Sequence, residues 1–328
     1  MNVSVVVPVF NEEQNIPELV RRLRNVLEPS VDFEIIFVND GSTDGTFEAL
    51  RELFEQDERI KSVHLSRNFG HQAAIWAGLR AAGGDAVVVM DGDLQDAPEV
   101  IEDFLKRWHD GYEVVYAVRA TRQEPWFKRL AYKAFYRTLS AISEIDIPLD
   151  SGDFSLMDRR VVDVLTSMPE RPRFVRSMRS WVGFRQVGVG VPRGARYAGE
   201  PKYTFRRLLR LALDGLFTTS YRPLRLASLL GLGVVAVATI LALTLVAIKL
   251  VRGVPVSGGT ALMVVLLFLG GVQLMSLGIL GEYLGRTYDE ARARPAYIVA
   301  SVMGETRLPA QTEPLLPSPL RERPDLAR

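Results

Sequence analysis

Short apolar runs recur through the first 120 residues, and the stretches between them carry apolar side chains at helical spacing. Val3–Val7, Glu34–Val38, Ser62–Leu65, Ala86–Met90 and Glu113–Val118 read as strands. Between them the pattern predicts helices over about Gln14–Leu27, Thr46–Glu55, Gln72–Ala82 and Pro98–Trp108, with Leu19, Val20 and Leu23 sharing one face of the first. Alternation of this kind, with strands apolar on both faces, predicts a mostly parallel α/β sheet with helices on both sides. In such open sheets ligands sit beyond the carboxyl ends of the strands.

The C-terminal third changes character. Leu226–Leu250 is apolar until Lys249, and Gly258–Gly281 is a second run without charge. Each is long enough to cross a hydrocarbon core, so the reading is a two-helix transmembrane hairpin, about 226–248 and 259–281. Basic residues flank both outer ends, among them Lys202, Arg206, Arg207, Arg210, Arg222, Arg225, Arg286, Arg292 and Arg294. The positive-inside bias then puts both outer flanks in the cytoplasm. Phe205–Phe217 and Trp126–Ile142 show apolar stripes bordered by Arg and Lys, the pattern of helices lying in a membrane interface. The expected division is a catalytic domain over 1–200, a juxtamembrane helix over 201–225, the hairpin over 226–281, and a cytoplasmic tail over 282–328, disordered from about 304. Glycines in the spans (Gly231, Gly233, Gly270, Gly271, Gly278 and Gly281) would permit close packing between chains in a homo-oligomer.

Composition narrows the chemistry. With 40 basic and 39 acidic side chains, nothing points to a nucleic-acid partner, and the absence of Cys excludes disulfides and thiolate metal sites. Three His residues are too scattered to suggest a zinc centre. The chain starts directly on a strand, with no signal-peptide pattern, so the catalytic domain is expected to stay on the cytoplasmic side of an inner, or plasma, membrane.

Polar clusters follow the first four strands: Pro8-Val9-Phe10-Asn11-Glu12, Asn39-Asp40-Gly41-Ser42, Arg67-Asn68 and Asp91-Gly92-Asp93. All four should share one sheet edge. Paired carboxylates at Asp91 and Asp93 suit a hard divalent cation, Mg²⁺ or Mn²⁺, held against substrate phosphates.

Together Val5–Glu13, Asn39–Thr46 and Asp91–Gln95 resemble the family 2 glycosyltransferases of GT-A fold. Ser66–Gly70, Ser151–Phe154, Lys202-Tyr203 and Gly281–Arg286 resemble its polyprenyl-phosphate branch, the bactoprenol glucosyltransferases and dolichol-phosphate mannose synthases. The resemblance implies that Pro8, Phe10, Glu12, Val38 and Asp40, with Asp91 and Gly92, hold the nucleotide. It assigns Asp91, Asp93 and Gln95 to the metal and diphosphate, and Arg119 and Arg129 to the acceptor phosphate. Arg196 and Lys202 fall in a loop over the donor diphosphate, and Asp153 at the position of a catalytic base. A lipid monophosphate, with a second pKa of about 6, is already largely anionic at neutral pH, so Asp153 can instead orient the acceptor or stabilise charge. The implied reaction is inverting transfer of one sugar from a nucleotide-sugar to a polyprenyl phosphate. Similarity to the two-helix bacterial branch favours UDP-glucose and undecaprenyl phosphate, with a GDP-mannose enzyme as the alternative.

A processive synthase is disfavoured: Arg176–Trp181 lacks the Gln and spacing of Q-x-x-R-W, and two helices cannot line a channel. A non-catalytic scaffold fits poorly with the full set of Asp40, Asp91, Asp93 and Asp153. A dinucleotide-binding dehydrogenase is excluded because no G-x-G-x-x-G follows the first strand.

Overall fold

A computed structural model describes residues 1–119, 151–168, 174–191 and 258–308, with scattered positions between 229 and 251. Two compact units are present: Met1–Glu124 with Ile147–Glu200 and Pro295–Arg328, and Pro125–Asp146 with Pro201–Arg294.

The first unit is an α/β sandwich. Its order is β1 (Asn2–Val9), α1 (Ile16–Leu27), β2 (Asp32–Asn39), α2 (Thr46–Gln56), β3 (Ile60–Leu65), α3 (His71–Ala81), β4 (Ala86–Val89), α4 (Val100–His109) and β5 (Val114–Arg119). Then come β6 (Ser151–Asp158), α5 (Arg159–Ser167), α6 (Val175–Trp181), β7 (Gln186–Val191) and, after a long helix, β8 (Val299–Met303). The eight strands form one sheet in the order β7-β5-β6-β4-β1-β2-β3-β8. All pairs are parallel except those made by β6 with β4 and β5, and by β8 with β3. The mixed α/β reading thus holds, and the five expected strands are present within a residue or two.

Alternation along the strands explains the two cores. Val3, Val5, Val7 and Val9 pack with Leu19, Leu23, Leu50 and Phe104 from α1, α2 and α4. Val6, Ile36, Val38 and Val87 pack with Ile75, Ala77, Val161 and Val175 from α3, α5 and α6. Every side chain of β1 from Val3 to Val9 that these clusters contain is buried, which is why the strand reads as continuously apolar.

Antiparallel β6 inserts between β4 and β5, so its start lies at the carboxyl ends of its neighbours. Val89 of β4 is level with Ser155, and Val118 of β5 with Ser151. Asp153 is thereby brought to the edge where the other clusters emerge. Two further strands are also unexpected: β7, and β8 inside what the sequence reads as a tail. Residues 304–308 follow it in the described structure, where Arg307 N donates to Ala81 O at 3.0 Å.

On β3, His64 is buried between Asn39 Nδ2, 3.3 Å from its Nδ1, and Ser62 Oγ, 2.9 Å from its Nε2. Burial pushes its pKa from 6.5 down to about 4. The unfolded chain therefore binds a proton that the folded one refuses across that window. Stability should fall as pH drops from 6.5 towards 4, by an amount on the order of 3 kcal/mol from this residue. Denaturant midpoints measured across that range check it: His64→Gln should flatten the slope, and an unchanged slope would remove His64 from the account.

Of the second unit, the structure describes α7, a helix of 33 residues over Gly259–Ala291, and the scattered helical positions before it. Among the described residues no helix is long and apolar enough to cross a membrane. About half of the positions in Leu226–Leu250 lie outside those residues, as do several side chains in the first half of α7. The stretches Trp126–Ile142 and Phe205–Phe217 lie outside them too.

Candidate active site

The loops after β1 and β2 are laced together by side chains. Ser42 Oγ accepts from Asn11 N at 2.9 Å, and Asn11 Oδ1 accepts from Thr43 N at 2.8 Å. Glu13 takes Gly45 N at 2.7 Å, while Thr46 Oγ1 takes Glu12 N at 3.1 Å. Asn11 adopts the left-handed conformation (φ 57°), which Asn tolerates better than most residues. The result is a stiff rim on which Phe10 is left 44% exposed. Glu12 is held by the side-chain amide of Asn15. Val38, expected on this rim, is instead fully buried in the core beneath α3, because the pleat turns its side chain towards Gly78.

Asp40 faces inward. Its two carboxylate oxygens accept from Phe69 N at 2.7 Å and Gly70 N at 2.9 Å, clamping the loop that leads into α3. Burial pushes its carboxyl up in pKa, against those two amide bonds. The clamp requires Gly41, whose φ is +70° and whose added Cβ would lie 2.5 Å from Arg67 C. Gly41→Ala combines a left-handed backbone with a backbone clash, so a loss of about 2–4 kcal/mol is expected. Thermal unfolding of the purified variant measures it, and a wild-type midpoint would refute the clash.

After β4 the chain turns through Asp91-Gly92-Asp93. Gly92 nestles against β1: a Cβ there would lie 2.9 Å from Val9 Cγ1 and 3.4 Å from Pro8 O. Asp93 Oδ1 accepts from Gln95 N at 3.0 Å across Leu94, a residue at φ 58°, where a non-glycine side chain is strained. Asp91 Oδ1 is buried and accepts no hydrogen bond. Burial, reinforced by the charges of Asp153, Asp93 and Asp96 against the opposing pull of His71, raises the Asp91 pKa to about 6. A buried carboxylate oxygen that accepts no hydrogen bond, beside a second carboxylate, is what a divalent cation would satisfy. Among the described residues no cluster of three or more His, Asp or Glu is arranged to hold a metal by itself, so substrate oxygens would have to complete the set.

Asp153 faces Asp91 across His71. The His71 Nε2 lies 3.4 Å from Asp91 Oδ1 and 3.4 Å from Asp153 Oδ2. Gln72 Nε2 donates to Asp153 Oδ2 at 2.9 Å, and Arg176 Nε lies 3.4 Å from its Oδ1. Arg179, only 1% exposed, sits behind, with its guanidinium 5.1 Å from the Tyr116 ring and Nη2 3.4 Å from Gly152 O. Burial opposes the charge on Asp153. The hydrogen bond from His71 and the charges of Arg176, His71 and Arg179 outweigh it, holding the carboxyl well below the usual carboxylate range. For His71 burial works downward, but Asp153 and Asp91 raise its pKa overall.

The structure therefore unites the clusters after β1, β2, β3 and β4 with Asp153. It adds His71, Gln72, Arg176 and Arg179, which the sequence reading did not single out. His71 and Gln72 directly follow Ser66–Gly70. Arg176 and Arg179 lie one turn apart on α6 with no acid within a turn, a sign of charges paired from elsewhere. Arg119 closes β5, opposite Val191, but its side chain is outside the described residues, and so are Arg129, Arg196 and Lys202.

The model of glycosyl transferase family 2 matches residues 4–166. The chain is 44% identical over 313 residues to an uncharacterized glycosyltransferase of Synechocystis, covering 95% of this chain and 98% of that one. To the prophage bactoprenol glucosyl transferase homolog of Escherichia coli it is 40% identical over 304 residues, 92% and 99% of the two chains. A solved mannosyltransferase from Pyrobaculum calidifontis, in complex with GDP-Man and Mn²⁺, is 21% identical over 86% of each chain, with a TM-score of 0.46, too distant to inform the site.

The protein is a glycosyltransferase, and it belongs to glycosyl transferase family 2. Within that family it falls in the polyprenyl-phosphate branch, with the bactoprenol glucosyl transferases.

Proposed function

We propose that this enzyme moves a single sugar from a nucleotide-sugar, UDP-glucose before GDP-mannose, to a polyprenyl phosphate such as undecaprenyl phosphate, with inversion. The observation that carries the reading is the pairing of two unlike carboxylates at one sheet edge. Asp91 has a buried oxygen that accepts no hydrogen bond and lies 3.4 Å from His71 Nε2, and Asp153 is held ionised by His71, Arg176 and Arg179. Two relatives named for bactoprenol glucosyl transfer, similar over more than nine-tenths of the chain, support the lipid acceptor.

Asp91 and Asp93, with Gln95 beside them, would hold Mg²⁺ or Mn²⁺, which when bound neutralises the donor diphosphate as the nucleotide leaves. The rim of Pro8, Phe10, Glu12 and Asp40 borders the space for base and ribose, Asp40 acting by fixing the loop into α3. Gly92 keeps the carboxylate turn against β1. Asp153 orients the acceptor or faces positive charge developing on the sugar, since a carboxylate held so acidic is a poor proton acceptor. Arg119, Arg129, Arg196 and Lys202 are assigned to the acceptor and donor phosphates through the family resemblance.

Anchorage by two membrane helices, catalytic domain on the cytoplasmic face, belongs to the same proposal. Gly259–Gly281 within α7 contains no charged residue, and Leu262, Leu266, Phe268, Leu274 and Leu277 are each at least 59% exposed. Such side chains call for lipid or protein cover. A Cβ added at Gly270, Gly271, Gly278 or Gly281 of the same helix would meet nothing within 4 Å, compatible with packing against another copy.

One assay tests the function: purified protein, undecaprenyl phosphate, Mg²⁺ and a panel of nucleotide-sugars, with the lipid product read by mass spectrometry. One hexose per lipid phosphate is expected. Failure of every donor to label the lipid would overturn the reading.

A further inference from the structure

We infer that Gln72 is a positioning residue for sugar transfer: its amide fixes Asp153 and docks α6 in one act. This rests on the assignment of Asp153 to the transfer site. Gln72 Nε2 donates to Asp153 Oδ2 at 2.9 Å, and Val175 N, at the start of α6, donates to Gln72 Oε1 at 2.9 Å. The carboxylate thus has one oxygen pinned, while Oδ1 is buried without a hydrogen bond and faces Arg176 at 3.4 Å. The amide's other bond seats the helix that carries Arg176 and Arg179. One side chain therefore sets both the orientation of the anion and the distance of its cations.

The chemistry needs an amide of this length. A carboxylate must receive a donor and a backbone N–H must find an acceptor, from one neutral group between them. Leu or Met offers neither, and Lys offers only a donor. Ionised Glu would set a second anion against Asp153, and Asn is a methylene short. The base of the clamp is rigid too. Gln72 is the second residue of α3, and Gly70, just before that helix, is held by Asp40. Of the charged groups near position 72, Asp153 accepts its amide at 2.9 Å and itself lies 3.4 Å from His71 Nε2 and from Arg176 Nε.

The test uses full-length protein with undecaprenyl phosphate and the donor found active in the panel assay. Gln72→Leu should lower kcat about 10- to 100-fold and leave the donor KM within about threefold, as displacement of a reacting group does. Gln72→Glu gives a readout that loss of packing would not. Protonated Glu offers the same donor and acceptor, whereas ionised Glu repels Asp153. Its activity relative to wild type should be highest near about pH 5 and fall as pH rises. A Gln72→Leu variant within about twofold of wild type, or a Gln72→Glu ratio flat with pH, overturns the clamp. Asp153→Asn separates the two levels. If it retains wild-type turnover, the assignment of Asp153 fails, and the clamp with it. If it is inactive while Gln72→Leu is unaffected, only the clamp fails.

Discussion

Asp93→Asn is expected to lower sugar transfer at least about 100-fold while leaving the protein folded. The separation of the two effects is built into the turn. Asp93 Oδ1 accepts from Gln95 N at 3.0 Å, and the oxygen of an Asn can do the same, so the backbone across strained Leu94 keeps its support. What disappears is the negative charge that, with Asp91, would hold a divalent cation against the donor. Raising Mg²⁺ should recover little of the lost turnover, because an uncharged amide oxygen binds a hard cation more weakly than the carboxylate it replaces. Turnover within a few-fold of wild type, at equal expression and equal thermal midpoint, would remove the metal from Asp93.

The second large effect concerns Asp153. Asp153→Asn should also reduce kcat about 100-fold, and the form of its pH profile is the decisive part. Wild-type activity should fall on the acid side near about pH 6, where a lipid monophosphate reaches its second pKa of about 6. Asp153 contributes nothing to that limb, since burial is overruled by His71, Arg176 and Arg179 and its carboxyl stays ionised. The variant should therefore show the same acid limb at lower height. Disappearance of the limb would make Asp153 the proton acceptor after all. A stability loss of about 3 kcal/mol is also expected, because nearly buried Arg179 is left without its nearest anion.

Much of this site could be read from sequence because the open-sheet rule is local in its inputs. Each apolar strand ends in a polar cluster, and parallel strands put those ends together. Asp40, Asp91 and Asp93 needed nothing more to be placed on one edge. The rule says nothing about strands that run the other way. β6 mixes Ser, Gly and Asp with Phe154 and Leu156, and only its insertion between β4 and β5 turns Asp153 into a neighbour of Asp91. β7 alternates Val with Gly, and β8 sits beyond a long apolar helix, so neither announces itself. Asp40 illustrates a different limit. Its presence on the rim was legible, but its two bonds to Phe69 N and Gly70 N depend on a loop thirty residues away. Arg176 and Arg179 were weighed only against a motif they do not match, because their partner Asp153 is remote in sequence.

β8 also imposes an order on biosynthesis. β3 needs a partner from residues 299–303, more than two hundred positions later in the chain. At ordinary elongation rates that is a delay of roughly 10–50 seconds. Throughout it, β3 is an open edge of the kind that recruits foreign strands. The sheet is thus completed only after α7 has been synthesised, and a nascent chain stalled within that helix would carry the carboxylates of the site on an unfinished sheet.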